Sequence, residues 1–483
     1  GDLVWRGTRI DLLKTSARFG TSTIHQLSLG KQWGDISLFE LKADSADIQI
    51  AELYPWLISF ETLDRMFKGY AATRGQLALR GLGFRGPVGK SGIWQFKLTG
   101  DLQDLVLESD SFKAPIQINT AKFSAEDAPG EADAYARFAL DTAQLSWEDS
   151  QMMVLGNASF SADELLLDLK LTADRLTWGQ VKQITDLETT EETGKGLKLL
   201  GSLKVESDRF VYDAYAFQPM HAEISFNKTD TRVVIQKADL CGIQSPGILK
   251  VSADEFEFYF TPVAVTQNLE PAIACLSAKK NLADGSFNLE GELMSKARPT
   301  DFPKSLTGNL QFSAENGRIY RFGMLAKIFA LLNVTEIYRG EVPDLKSKGF
   351  AYNSMVATGI FEDGKLIIKD TSIDSPSMGI AIEGKIDLIK KKVNLVVLVA
   401  PFKTVDRIVK LIPLFGNIMG GNLISIPFRA VGDLSDPDVI PLSPTAVGSG
   451  LLGILQRTLK LPITVIQPVL PGSKDQEGDK KEK

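Results

Sequence analysis

Thr358-Gly-Ile-Phe-Glu-Asp-Gly-Lys-Leu-Ile-Ile-Lys-Asp370 reads as two strands around the turn Glu362-Asp363-Gly364, because Asp-Gly supplies the positive φ that a tight hairpin needs. In the next stretch Met378, Ile380, Ile382, Ile386 and Leu388 alternate with Glu383, Lys385 and Asp387. A period of two puts the two sets on opposite faces of one strand. Such a strand covers something apolar on one side only. Val393–Val399 follows as a strand largely apolar on both faces. Then the period changes. Val405, Ile408, Val409 and Ile412 sit at i, i+3, i+4 and i+7, which predicts an amphipathic helix. Pro413, Gly416, Gly420 and Gly421 end it. Strand character returns from Leu423 to Val431, and the chain leaves through Gly432-Asp-Leu-Ser-Asp-Pro437.

Working outward, Gly1 to about Thr300 is almost all strand. Trp94-Phe96-Leu98, Leu165-Leu167-Leu169-Leu171, Ala222-Ile224-Phe226 and Phe256-Phe258-Phe260 all alternate. Helices are predicted only from Ile50 to Phe67 and from Trp178 to Leu187. A loose Gly-x-apolar repeat punctuates the strands at Gly75, Gly100, Gly156, Gly201, Gly285, Gly308, Gly359, Gly384 and Gly432. Most of its gaps lie close to about 25 or 50 residues, a hairpin-sized unit in a repeat array. Glycine at strand entries is the plain alternative for each position alone.

The 483 residues are 44% hydrophobic and 24% charged, with a net charge of -6. That balance, without a basic stripe, excludes a nucleic-acid partner. No apolar run reaches the 18 residues of a membrane span. Gly1-Asp-Leu-Val-Trp5 reads as the middle of a strand, so a longer protein with a preceding segment is expected.

Conventional site chemistry is sparse. The two histidines, His25 and His221, are far apart and lack flanking ligand clusters, so no zinc site is predicted. No Gly-x-Ser-x-Gly elbow, phosphate loop or dinucleotide fingerprint occurs. Gly194-Lys-Gly196 is a linker after the acidic run from Glu188, and Gly416-Asn-Ile-Met-Gly-Gly421 follows a helix as its cap. The expectation is no enzyme and no cofactor.

The order of hairpin, strand, strand, helix, Ile412-Pro-Leu-Phe-Gly416, strand and Gly432-Asp-Leu-Ser-Asp-Pro437 resembles the carboxy-terminal region of the AsmA-like family of Gram-negative envelope proteins. Leu306-Thr-Gly-Asn-Leu310, Glu315-Asn-Gly-Arg-Ile319, a helix from Phe322 to Val334 and Lys348-Gly-Phe350 extend the resemblance, which runs from about Gly285 to Val439. The family is similar to bridge-like lipid transfer proteins with repeated β-grooves. The resemblance implies a mainly β fold: an elongated, curled antiparallel sheet forming an open hydrophobic groove, with a few amphipathic helices near the carboxy-terminal end. It also implies phospholipid transport between inner and outer membranes, supporting outer-membrane homeostasis. The expected setting faces the periplasm, with an inner-membrane anchor ahead of Gly1 and envelope proteins as partners. In that oxidising compartment the isolated pair Cys241 and Cys275 suggests one disulfide; in a cytosolic β protein both would be free thiols. A rival reading is an outer-membrane protein assembly factor that pairs strand edges with clients. A closed β-sandwich adhesin is the third.

Four segments are expected: a repeating β-groove region over 1–300, a β module with two amphipathic helices over 301–440, a hinge and terminal helix over 441–472, and a disordered charged tail over 473–483. Lipid contact is assigned to Ile380, Ile382, Ile386, Leu388, Leu395, Val397, Val399, Ile424, Ile426 and Phe428. Leu451, Leu452, Leu455 and Leu459, with Arg457 and Lys460, form a helix stripe assigned either to a membrane surface or to capping the sheet.

Overall fold

At the Asp-Gly turn the chain does what those residues favour. Asp363 and Gly364 have φ of 49° and 70°, and Glu362 pairs with Lys365 across them. The flanking strands, Phe350–Glu362 and Lys365–Asp374, run past the quoted stretch at both ends. In this computed structural model the described residues are all except 35–36, 60–68, 89–93, 110–111, 129–133, 162–163, 186–197, 253–254, 299–300, 321–322, 332–348, 402–424, 444–446 and 461–483. Outside them lie the expected helix around Val405–Ile412, its glycine-rich end, Ile424 and the charged tail. The fold is mainly β, with 27 strands and six helices among the described residues. Pairing is antiparallel throughout the registers except where Glu164–Ala173 runs parallel to Lys198–Ser207 and Leu176–Thr177 to Phe210–Tyr212.

The helices are α1 (Ile50–Leu57), α2 (Trp178–Thr185), α3 (Leu269–Ser277), α4 (Phe302–Ser305), α5 (Gly323–Leu331) and α6 (Ser449–Lys460). α3 was not expected from the sequence. Its proline, Pro271, falls in the first turn, where no intrahelical N–H partner is lost. Two compact units divide the chain: Gly1–Ala238 with Lys250–Ala253, and Asp239–Leu249 with Asp254–Lys483. The expected boundary at 300 falls inside the second.

In the first unit, successive strands pair through one row: Ala46, Leu79, Gly100, Phe123, Leu140, Gly156, Leu169, Leu203 and Ile224 are each directly opposite the next. Directly paired residues share a face, so the alternation in each strand adds up to one apolar face across nine strands. The glycines in the row let neighbours approach. At Gly201, two residues before Leu203 on the same face, the φ is +98° and a Cβ would collide with the Leu167 carbonyl oxygen. Of the nine repeat glycines, seven have φ between 98° and 148°. Six of the seven lie within strands, while Gly285 stands just before the strand Ser286–Ala297.

In the second unit a matching row runs Phe287, Ala314, Met355, Ile373, Ile380, Val399 and Ile426. Here the face is covered. Met324, Leu325, Ile328 and Phe329 of α5, and Leu269 and Ala272 of α3, share one core with it. On the opposite face Ala381, Leu398 and Ala400 pack against Leu451, Ile454 and Leu455 of α6. The sheet around Met378–Pro401 thus lies between helices on both sides, which explains why Val393–Val399 is apolar on both faces.

Candidate functional site

The feature that could do chemistry or binding is the apolar strand face, and its exposure differs between the units. In the first unit Leu98, Leu102, Phe123, Leu140, Leu165, Leu167, Leu169, Leu203 and Ile224 are only partly buried. They face inward in the alternation, yet among the described residues most of the row shares no hydrophobic core with a helix. One end is closed: Trp147, Met152, Ala173, Leu176 and Val205 form a small core with Val181 of α2. Gln180 of α2 is fully buried, and its Nε2 donates to the Trp147 carbonyl at 3.0 Å and the Ser150 hydroxyl at 3.0 Å. It fixes α2 over the ends of these strands. α1 sits on Tyr70–Pro87, tied by its Glu52 carboxylate, which accepts from Thr21 N at 2.8 Å and Ser22 Oγ at 2.5 Å. Those bonds, the Ser22 hydroxyl first, hold the exposed Glu52 carboxyl down at about 2.

The reverse face of the same strands is solvated. Arg9 donates to Asp11 at 2.7 Å and Glu40 at 2.9 Å, and Lys42 lies 2.6 Å from Glu40. Lys42, then Arg9, hold the Glu40 carboxyl at about 2. Lys170 reaches Glu206 at 2.8 Å. Among the described residues no cluster of His, Cys, Asp or Glu could hold a metal, and no helix is long and apolar enough to cross a membrane.

The residues assigned to lipid contact from sequence lie elsewhere, in the second unit. Ile380, Val397 and Val399 are fully buried, and Ile382, Leu395, Ile426 and Phe428 nearly so, in the core shared with α5. While that helix stays in place they meet protein and not an open groove. Ile386 packs at the margin of the same core and Leu388 is partly buried. Ile424 lies outside the described residues. The terminal helix is similarly turned inward. Leu451 and Leu455 are fully buried on the sheet and Leu452 packs beside them, while the exposed Arg457 lies 3.2 Å from Asp370. Nothing is described of the Leu459 and Lys460 side chains. Its apolar side is therefore the docked side. Cys241 and Cys275 are bonded, with Cα atoms 5.8 Å apart, tethering the exposed end of α3 to the turn after Asp230–Leu240.

The sequence reading expected a groove over 1–300 but assigned no lipid-contact residue to it. Its signal, Leu165-Leu167-Leu169-Leu171, was visible but looked the same as the covered strand.

Residues 264–439 match the family model described as YhdP protein. The match lies wholly within the second unit, and YhdP is an envelope family of the AsmA-like group. No curated protein and no solved structure matches the chain.

Proposed function

We propose that this chain is a non-enzymatic carrier that holds phospholipid acyl chains on its uncovered apolar strand faces and passes lipids between the inner and outer membranes through the periplasm. The observation that carries the proposal is the partly exposed stretch of the row from Phe123 to Ile224 in the first unit. A contiguous apolar surface in water is costly unless something covers it. Each acyl CH₂ moved onto it from water gains about 0.8 kcal/mol, so no specific polar ligand is needed to bind a chain. The envelope setting of the YhdP family supports that occupant. The strand-edge alternative gains little from one such edge, the strand Asp438–Pro441. That strand has four residues and ends in proline, features that discourage strand addition.

Two substitution sites separate open face from core. Leu167→Asp with Leu169→Asp should remove most bound lipid while circular dichroism stays β-sheet, because both side chains already meet solvent. Ile380→Asp, which buries a charge in the second unit's core, should cost about 4 kcal/mol or more and unfold that unit. Unchanged lipid in the Leu167/Leu169 variant would sink the proposal.

A further inference from the structure

The strands from Asp2–Arg6 to Gln95–Ser109 carry a further apolar patch, and a cation stands in it. Leu3, Leu12, Leu29, Leu41, Phe84 and Phe96 are each directly opposite the next, so they share one face. Two residues along the same strands a second row runs Trp5, Ile10, Lys31, Phe39 and Gly86, again each opposite the next. Alternation puts it on the same face. The Trp94 ring lies over Gly86, where a Cβ would collide with it, and its centroid is 6.4 Å from that of Phe39. Trp5 is 73%, Trp94 41% and Trp33 38% exposed, and the Lys31 Nζ stands 5.4 Å from the Trp33 ring centroid. One ammonium is thus set among three tryptophans beside a wholly apolar row.

The reverse face of these strands shows what sets Lys31 apart. There Arg9 meets Asp11 and Glu40, and Lys42 meets Glu40, so both cations have a carboxylate. Among the described residues Lys31 forms no ion pair, and its ammonium rests on the Trp33 ring instead. A cation over an indole face is held by the ring quadrupole and keeps its N–H donors for an anion. The leucine and phenylalanine row selects a hydrocarbon chain, and the unpaired ammonium at its border selects a negative group attached to that chain. A phospholipid phosphate satisfies both, and indoles collect where hydrocarbon meets headgroup. From Leu12 to Phe96 the row crosses about 19 Å of sheet. The half-thickness of a bilayer core is roughly 15 Å, so one acyl chain fits along it. We propose that Lys31, bordered by Trp5, Trp33 and Trp94, binds the phosphate of an anionic phospholipid whose hydrocarbon lies on the adjoining Leu12–Phe96 row. This rests on the lipid-carrier reading and adds a headgroup preference to it.

Soluble short-chain lipids separate this site from attraction to a vesicle surface. The whole chain is titrated with monomeric dihexanoyl phosphatidylglycerol, with dihexanoyl phosphatidylcholine and with inorganic phosphate. Trp33 is read as the fluorescence lost in Trp33→Phe. Phosphatidylglycerol should bind about fivefold more tightly than phosphatidylcholine. That preference should vanish in Lys31→Gln and persist in Lys31→Arg. Both substitutions change an exposed side chain, and circular dichroism checks that the sheet is intact. Equal affinity for the two lipids, a preference unchanged in Lys31→Gln, or an equal response to inorganic phosphate overturns the headgroup site and leaves the carrier reading standing. A Trp33 silent to both lipids, with phospholipid still retained on the strand carrying Leu167 and Leu169, overturns it in the same way. If the chain retains no lipid at all, the carrier reading fails and the site with it.

Discussion

Gly201 shows how much a single residue carries in this sheet. With φ at +98° and the Leu167 carbonyl where a Cβ would stand, Gly201→Ala should cost about 1–3 kcal/mol, read as a lower melting temperature. Gly453 inside α6 is the control. Its built Cβ meets only the tip of Arg457 at 3.9 Å, so Gly453→Ala should raise stability by up to about 1 kcal/mol. Equal effects at the two sites would remove the bend from the argument. Glu52 gives the residue scale a pH signature. Its carboxyl is held at about 2 by the Ser22 and Thr21 donors, below its ordinary value of 4.5. The folded form thus binds its proton less readily than the unfolded chain. Its contribution is complete above about pH 4.5 and is lost as pH falls toward 2. Acid titration followed by α1 fluorescence at Trp56 should show a transition in that window, and Glu52→Gln should flatten it. An identical titration in the variant would contradict the tether.

At the scale of elements, the sequence reported strands more faithfully than what covers them. The alternation from Met378 to Leu388 located the strand Met378–Asp387, and the Asp-Gly pair located its neighbouring hairpin. The same alternation in Leu165–Leu171 and Ile380–Ile386 could not distinguish an open face from a closed one. Cover comes from α3 and α5, which reach their strands only through the fold, and period-two patterns carry no record of a helix arriving from elsewhere in the chain. The Gly-x-apolar spacing did survive as structure, in the form of bends at seven of nine positions. α6 is the sharpest case. Its leucine stripe with Arg457 reads equally as a membrane-surface helix or a cap, and only the buried Leu451 and Leu455 on Leu398 and Ala400 separate the two. Burying each such leucine is worth about 1.5–3 kcal/mol. Removing residues 449–483 should therefore lower the second unit's melting temperature by several degrees. An unchanged melting temperature with reduced liposome binding would instead assign the helix to a membrane.

Across the whole molecule, the two units differ in what they carry. The second carries the YhdP match over 264–439, a helix-covered core and a disulfide. The first carries an apolar strand face that is partly exposed and a charged reverse face. Neither composition nor motif assigned those roles, because a carrier that grips hydrocarbon by area leaves no ligand signature in its sequence. The central claim is that the face is occupied by phospholipid. Its most direct measurement is mass spectrometry of lipids retained by the intact chain after purification from Gram-negative cells in a detergent-free buffer. The account predicts phospholipids at one or more molecules per chain, depleted several-fold in the Leu167→Asp, Leu169→Asp variant. A chain that folds, carries no lipid and gains none from vesicles would contradict it.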